Sequence, residues 1–277
     1  MNPPAPPLLS LKNVSVRFNQ TDILRSVSFT LNRGEFLAIV GPNGAGKTTL
    51  IKTILGLNPD YSGTMALDGK PLASFKPREK ARYLAYVPQV QVLGEFHRVR
   101  DFVLMGRYPY LSAIRPPLPE DEAVVDEALE RTGTQELSNR LVASLSGGER
   151  QKVMIAAALA QQPEVLILDE PATFLDPKNQ LEIQGLLRRI NRTQGVTIIS
   201  ITHDMNSALH DATRVLGLKA GQVQLDGPPE AVLTPQQLWA LFDAPFLSLV
   251  VEGSAQPWLV PDVRLHTALK QAEDAGP

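Results

Sequence analysis

The sequence predicts an α/β fold built on a mainly parallel sheet, and three observations carry that expectation. Two short apolar runs, Val165-Leu166-Ile167-Leu168 and Val196 to Ile201, read as strands buried on both faces, and helical patterns alternate with them. A third run, Phe36-Leu37-Ala38-Ile39-Val40, leads straight into GPNGAGKTT, Gly41 to Thr49, and then into the helical spacing Leu50-Ile51-Ile54-Leu55. The residues with chemistry to offer, the glycine-rich loop, Asp169-Glu170 and His203, all follow such strands, and parallel sheets present ligands at their carboxyl ends.

Taken in order, residues 1 to 7 are proline-rich and carry no pattern. Leu11, Val14, Val16 and Phe18 then alternate with a slip near Asn13, and Val27, Phe29 and Leu31 resume after a break, which predicts antiparallel strands. Phe18 precedes the polar break Asn19-Gln20-Thr21, so its ring is either offered at a strand end, where an adenine could stack, or is an ordinary core residue. Gly56 and Pro59 end the helix after the glycine-rich loop, and Asp68-Gly69 marks a tight hairpin after a strand over Thr64 to Leu67. A short helix near Pro77 to Arg82 and a strand Leu84 to Val87 lead to Pro88-Gln89.

From Val90 to about Ser144 the strand pattern disappears, and a helix over Glu120 to Thr132 turns Val125, Ala128 and Leu129 inward, which predicts an inserted helical subdomain. An apolar helix over Val153 to Ala160 follows LSGGERQ. Asp176-Pro177 opens a helix to about Gln194, as an N-cap with proline in the first turn. A hairpin is expected around Ala220-Gly221 and a capping box at Thr234-Pro235-Gln236-Gln237, opening a helix through Leu241. A strand pair, Phe246 to Val251 with Trp258 to Val260, and a last helix from Pro261 complete the chain.

Composition narrows the function. The 277 residues suffice for one large domain with a smaller subdomain, not for two such domains. A net charge of -2 and a pI near 6.1, without basic runs, argue against a nucleic-acid partner. There is no cysteine, hence no disulfide or thiolate metal site. Neither a signal-peptide pattern nor an apolar run of spanning length is present, so the expectation is a soluble, cytoplasmic chain.

Gly41 to Thr49 fits G-x-x-x-x-G-K-[ST] between a strand and a helix. Its glycines let backbone N–H groups converge at the positive end of the helix, where phosphate oxygens are cradled. Lys47 supplies a point charge for the terminal phosphates and Thr48 a hydroxyl for Mg²⁺. Asp169 is placed as a second contributor to Mg²⁺ and Glu170 to activate or orient water at the γ-phosphate, while His203 either donates to that phosphate or is a plain structural histidine. Gln89 could reach the metal or the water. Leu145-Ser146-Gly147-Gly148-Glu149-Arg150-Gln151 is, by itself, either a second anion nest or a flexible turn.

Together and in this order, GPNGAGKTT, Gln89, LSGGERQ, LILDEP, Leu175-Asp176 and His203 resemble the ATP-binding subunit of ABC transporters, from about Leu9 to Gly227. The resemblance implies a P-loop NTPase core with a mainly parallel sheet, an N-terminal antiparallel β part and an inserted helical subdomain. It implies an ABC ATPase domain over residues 8–245, with the helical insertion at about 90–162, and a C-terminal extension over 246–277. It implies ATP and Mg²⁺ as ligands, with Gly41, Pro42, Asn43, Gly44, Ala45, Gly46, Lys47, Thr48 and Thr49 on the phosphates and Phe18 on the adenine. Thr48, Gln89 and Asp169 would hold the metal; Glu170, His203, Gln89 and Lys47 would serve hydrolysis. Ser146, Gly147 and Gly148 would complete the site of a second copy, with Asp176 on the crossing loop. Ala172-Thr173-Phe174 departs from the usual Thr-Ser after the proline, which bears on how Glu170 is positioned.

The segments Ala81 to Gln89 and Val103 to Tyr110 resemble the ATPases of bacterial importers for ferric siderophores, haem and cobalamin. That implies a peripheral subunit on the cytoplasmic face of the inner membrane, partnered by integral-membrane permease subunits and indirectly by a periplasmic binding protein. Soluble ABC ATPases of translation or DNA maintenance carry two ATPase domains or a long coiled-coil insertion, which this chain lacks. A non-hydrolysing regulatory module would be expected to lack Glu170 or His203, and both are present.

Overall fold

A computed structural model describes residues 6–89, 96–111, 116–253 and 256–265. The chain runs β1 (Leu9–Phe18), β2 (Thr21–Leu31), β3 (Phe36–Val40), α1 (Lys47–Ile54), β4 (Ser62–Leu67), β5 (Lys70–Pro71), α2 (Pro77–Tyr83) and β6 (Leu84–Val87). The helical stretch follows with α3 (Val99–Met105), α4 (Pro119–Thr132) and α5 (Gly147–Ala160). Then come β7 (Val165–Asp169), α6 (Pro177–Gln194), β8 (Thr197–Ile201), α7 (Met205–Asp211), β9 (Arg214–Lys219) and β10 (Gln222–Gly227). The tail holds α8 (Pro229–Val232), α9 (Pro235–Phe242), β11 (Phe246–Leu249) and β12 (Trp258–Pro261).

Among the described residues a six-stranded sheet has the order β10-β9-β3-β8-β7-β6, parallel from β9 to β6 with β10 antiparallel at one edge. A four-stranded antiparallel sheet, β2-β1-β4-β5, lies over one of its faces. The apolar strands divide their side chains between two cores, as a strand buried on both faces must. From β7, Val165 and Ile167 join the antiparallel sheet and α1, while Leu166 and Leu168 join α3, α4, α5 and α6 on the other face. Each fully buried Leu or Ile here stabilises the fold by about 1.5–3 kcal/mol relative to exposure. The helical stretch is thereby fastened to the sheet rather than hanging from it.

The expected slip in β1 is real: Asn13 has φ 52°, the register shifts between Leu11 and Val14, and Asn13 N–H donates to Ser28 Oγ at 2.8 Å. Asp68 and Gly69, at φ 49° and 74°, make the hairpin turn, as do Ala220 and Gly221 at φ 47° and 76°. α6 starts and ends where Asp176 and Gly195 cap it.

Three expectations need correction. The helix after the signature starts at Gly147, not Val153, because Ser146 and Glu149 form a full capping box that outweighs two glycines. The stretch between Gln89 and Ser144 holds α3 as well as α4, and α7 and α8 were also not expected, each being two turns or fewer. Pro261 closes β12 and the expected last helix starts at Val263 instead, β11 stops at Leu249, and most of that helix lies outside the described residues.

Candidate functional site

The phosphate loop leaves β3 at Val40 and turns into α1 at Lys47. Gly41, at φ 149°, passes so close to β9 that a Cβ there would lie 2.0 Å from Leu218 O. Gly46, at φ 98°, leaves no room for a side chain beside Leu24 and Ile23 O. α1 therefore opens with no side-chain cap, and its first N–H groups stay available to an anion. Lys47 is buried, and its ammonium folds back over the loop to donate to Gly41 O at 2.7 Å and Pro42 O at 2.9 Å. Burial lowers its pKa, against the opposing pull of Glu170 and Asp169.

Asp169 ends β7 beside the loop. Its Oδ2 accepts from Thr48 Oγ1 at 3.3 Å and from the Tyr86 hydroxyl at 3.2 Å. Burial raises the pKa of Asp169, and those two hydrogen bonds oppose the rise. Burial also pushes the Tyr86 phenol well above its usual range, with Asp169 adding to it, so the hydroxyl stays a donor.

Glu170 sits one residue past the strand at φ 52°, a left-handed conformation uncommon for a non-glycine residue and found preferentially at functional sites. Its N–H is tied to Ile201 O at 3.0 Å across β7 and β8. The carboxylate then gathers three side chains from three loops. Oε2 accepts from Gln89 Nε2 at 2.7 Å and Thr173 Oγ1 at 3.0 Å, while Oε1 meets His203 Nε2 at 2.8 Å. The neighbouring strands β6, β7, β8 and β3 supply Gln89, Asp169-Glu170, His203 and the phosphate loop in turn, all from their carboxyl ends. The segment Ala172-Thr173-Phe174 was expected to bear on Glu170, and Thr173 is the residue that does; the role of Tyr86 escaped the sequence reading. Tyr86 carried one usable signal, a hydroxyl on a strand that should be buried, where a partner is expected.

Phe18 is not a core residue: it is 46 % exposed at the end of β1, before a turn in which Asn19 and Gln20 have positive φ. Ser146, Gly147 and Gly148 do not join the phosphate loop. They form a second group with α6: a Cβ on Gly148 would lie 2.0 Å from Asn179 Oδ1, and Asn179 Nδ2 donates to Asp176 Oδ2 at 2.6 Å. The signature turn and Asp176 are thus packed together. Among the described residues no group of three or more His, Cys, Asp or Glu could hold a metal ion, and no helix is long and apolar enough to cross a membrane.

Comparison with known proteins places this geometry. Residues 24–173 match the family model described as ABC transporter. The petrobactin import ATP-binding protein FpuC of Bacillus anthracis is 37% identical over 254 residues, 92% of this chain and 93% of that protein. The iron(3+)-hydroxamate import ATP-binding protein FhuC of Bacillus subtilis is 36% identical over 234 residues, 84% of this chain and 87% of that one. A solved structure of a candidate metal-chelate type ABC transporter, in an inward-facing conformation, superposes with a TM-score of 0.82 at 29% identity, over 94% of this chain and 100% of that chain.

Proposed function

The chain belongs to the ABC transporter ATP-binding family, a family of transport ATPases, and from that premise we propose that it hydrolyses ATP to drive import of an iron chelate through a separate membrane permease. The observation that carries the ATPase reading is the meeting of Lys47, Thr48, Gln89, Asp169, Glu170 and His203 at one edge of the sheet. The cargo class rests on the relatives, FhuC above all, and the resemblance leaves haem and cobalamin as alternatives.

Lys47 exchanges its two carbonyl partners for the terminal phosphates of an arriving nucleotide, which relieves the cost of holding a buried ammonium on neutral acceptors. Gly41 to Thr49 cradle the phosphates, and the exposed ring of Phe18 stacks on adenine. The residues fit Mg²⁺: Thr48 Oγ1 and Asp169 Oδ2 are hard oxygens beside the loop, and two or three such protein ligands suffice when phosphates and water complete the shell. When bound, Mg²⁺ would offset charge on the phosphate oxygens. Gln89, carried on the segment after β6, serves as a further ligand or orients water. Glu170 is the base that takes a proton from the attacking water, and Thr173 and Gln89 hold it for that task. His203 leaves Glu170 to donate to the γ-phosphate.

A phosphate loop covers one side of a triphosphate, so a second copy supplies Ser146, Gly147 and Gly148 to the other, and ATP closes a head-to-tail pair. Residues 8–245 form the catalytic unit, with 90–162 as the helical insertion and 246–277 as an extension. The insertion faces the permease, where Phe96, Met105 and Tyr108 expose apolar surface, and Arg78 and Arg82 bond carbonyls of the 108–111 segment. The subunit then works at the cytoplasmic face of the inner membrane, meets the periplasmic binding protein only through the permease, and binds no nucleic acid.

The test is physiological. Deleting the gene should abolish growth on ferric chelates as the iron source, and the intact chain should restore it while Glu170→Gln does not. Normal growth of the deletion strain on every iron chelate, with a defect on another nutrient, would refute the cargo class and leave the ATPase reading in place.

A further inference from the structure

α7 begins two residues after His203. Asp204, between them, caps the helix by accepting from the N–H groups of Asn206 at 2.9 Å and Ser207 at 3.1 Å. Where α7 sits therefore fixes how His203 leaves β8. The two sides of this short helix are packed unequally. Toward α6 there is a cavity of about 360 Å³, bordered by Gln180, Gln184 and Leu187 on one side and Ser207, Ala208 and Asp211 on the other, with Glu170 and His203 in its wall. It is crossed by polar contacts, Gln184 Nε2 to Asp204 Oδ2 at 3.1 Å and Arg188 to Asp211 at 2.6 Å. Facing a void, the helix lacks on this side the dispersion contacts that hold an element in place.

The other side is closed by the C-terminal hairpin. Met205 and Leu209 pack in one apolar cluster with Leu238, Leu241 and Leu259. The Asn206 carboxamide pairs with the backbone of Leu259 in both directions: Nδ2 donates to Leu259 O at 3.0 Å, and Leu259 N–H donates to Oδ1 at 2.7 Å. The His210 ring lies 5.4 Å from that of Trp258. β12 is itself held by β11, with Leu259 opposite Ser248. A helix loose on one face and clasped on the other takes its position from the clasp.

We infer that the β11–β12 hairpin, acting through Asn206 and α7, positions His203 for the γ-phosphate, which gives the C-terminal extension a part in hydrolysis. This rests on His203 being the γ-phosphate contact. Misplacing a reacting group by about 1 Å can lower a rate by up to about 10²-fold. The phosphate loop stands on β3 and α1, and although Ala38 and Val40 of β3 share the apolar cluster of Leu259, Lys47 is held by carbonyls of the loop itself, so nucleotide affinity should survive loosening of the hairpin.

The experiment uses the full-length chain with Asn206→Ala, Trp258→Ala, His203→Ala and, as a control, Gln161→Ala. Gln161 also bonds two backbone carbonyls, those of Ala81 and Leu84, but away from α7. Kinetics are read together with the ¹⁵N imidazole resonances, which four histidines keep assignable by substitution. Asn206→Ala should lower kcat roughly three- to thirtyfold, within the range one misplaced group allows, with KM for ATP within about twofold, and should shift or broaden the His203 resonance. Trp258→Ala, the milder variant should the first fail to fold, should move both readouts the same way by less. Gln161→Ala should move neither. A wild-type kcat and His203 resonance in the folded Asn206 or Trp258 variant would overturn the inference. If His203→Ala turned over at the wild-type rate, the γ-phosphate reading would fall instead, and the His203 resonance alone would decide the clasp.

Discussion

The phosphate loop and the signature turn are both helix N-termini preceded by glycine or serine, yet they are finished in opposite ways. α1 has no side-chain cap, and the group nearest its loop is a buried lysine resting on two carbonyl oxygens it can exchange. α5 is capped by its own residues: Glu149 N–H donates to Ser146 Oγ and Ser146 N–H to Glu149 Oε2 at 2.8 Å, which holds the Glu149 carboxyl below its usual pKa. Around the first, side chains from four strands converge; around the second, the neighbours are Leu175, Asn179 and Asp176 at the start of α6. One end is a site waiting for phosphate. The other satisfies its own N–H groups, and under the proposed function it contributes only when a separate site is brought to it.

That contrast is sharpened most by Glu170→Gln, which keeps size and hydrogen bonding but removes the base. Turnover measured by phosphate release should fall roughly 10²- to 10⁴-fold while the ATP-induced rise in Tm persists. Loss of the Tm rise would mean that Glu170 builds the binding site rather than acting on bound nucleotide.

Lys47→Ala comes next. Ligand at 100 times its Kd adds about 2.7 kcal/mol of stability, and the variant should lose most of that shift. Without nucleotide it should melt no lower than the parent, because the ammonium it removes is disfavoured by burial. An equivalent substitution at Ser146 should do the reverse: loss of an N-cap costs about 1 kcal/mol with no ligand present.

The smallest effect is at Asp169. Burial raises its folded pKa above the unfolded value, so its ionised form opposes folding, and that penalty is present above the folded pKa and fades as pH falls through it. Asp169→Asn should therefore stabilise the nucleotide-free protein by about 0.5–2 kcal/mol at neutral pH, read as Tm. The difference from the parent should shrink as pH falls toward the carboxylate range, and the Mg²⁺-dependent part of the ATP shift should be lost. A difference that grew on acidification would contradict the assigned cause.

Much of this was legible because the chain states it locally. Asp176-Pro177 marked the start of α6, its end was expected near Gln194, and the slip near Asn13 appeared as a break in alternation. The phosphate loop, Asp169, Glu170, Gln89 and His203 could be placed at strand ends because strand identity was plain, and parallel order did the rest. α3 and α7, at seven residues each, are too short for a 3.6-residue period to stand out. Tyr86 and Asp169 are 83 positions apart, and their contact exists only because β6 and β7 pair in register. The clasp of Asn206 on Leu259 spans 53 positions and has no local signature. The start of α5 was readable in Ser146 and Glu149, a capping-box spacing that two intervening glycines disguised.

The central claim is that the self-capped turn closes the phosphate site of a second copy, and ATP-dependent mass in solution tests it most directly. Glu170→Gln, analysed by size exclusion with light scattering, should be a monomer alone and a dimer with ATP and Mg²⁺. Adding Ser146→Arg should return it to a monomer under the same conditions while leaving its ATP-induced Tm shift intact. A double variant that dimerised with ATP as fully as Glu170→Gln alone would show that the signature does not act across the pair.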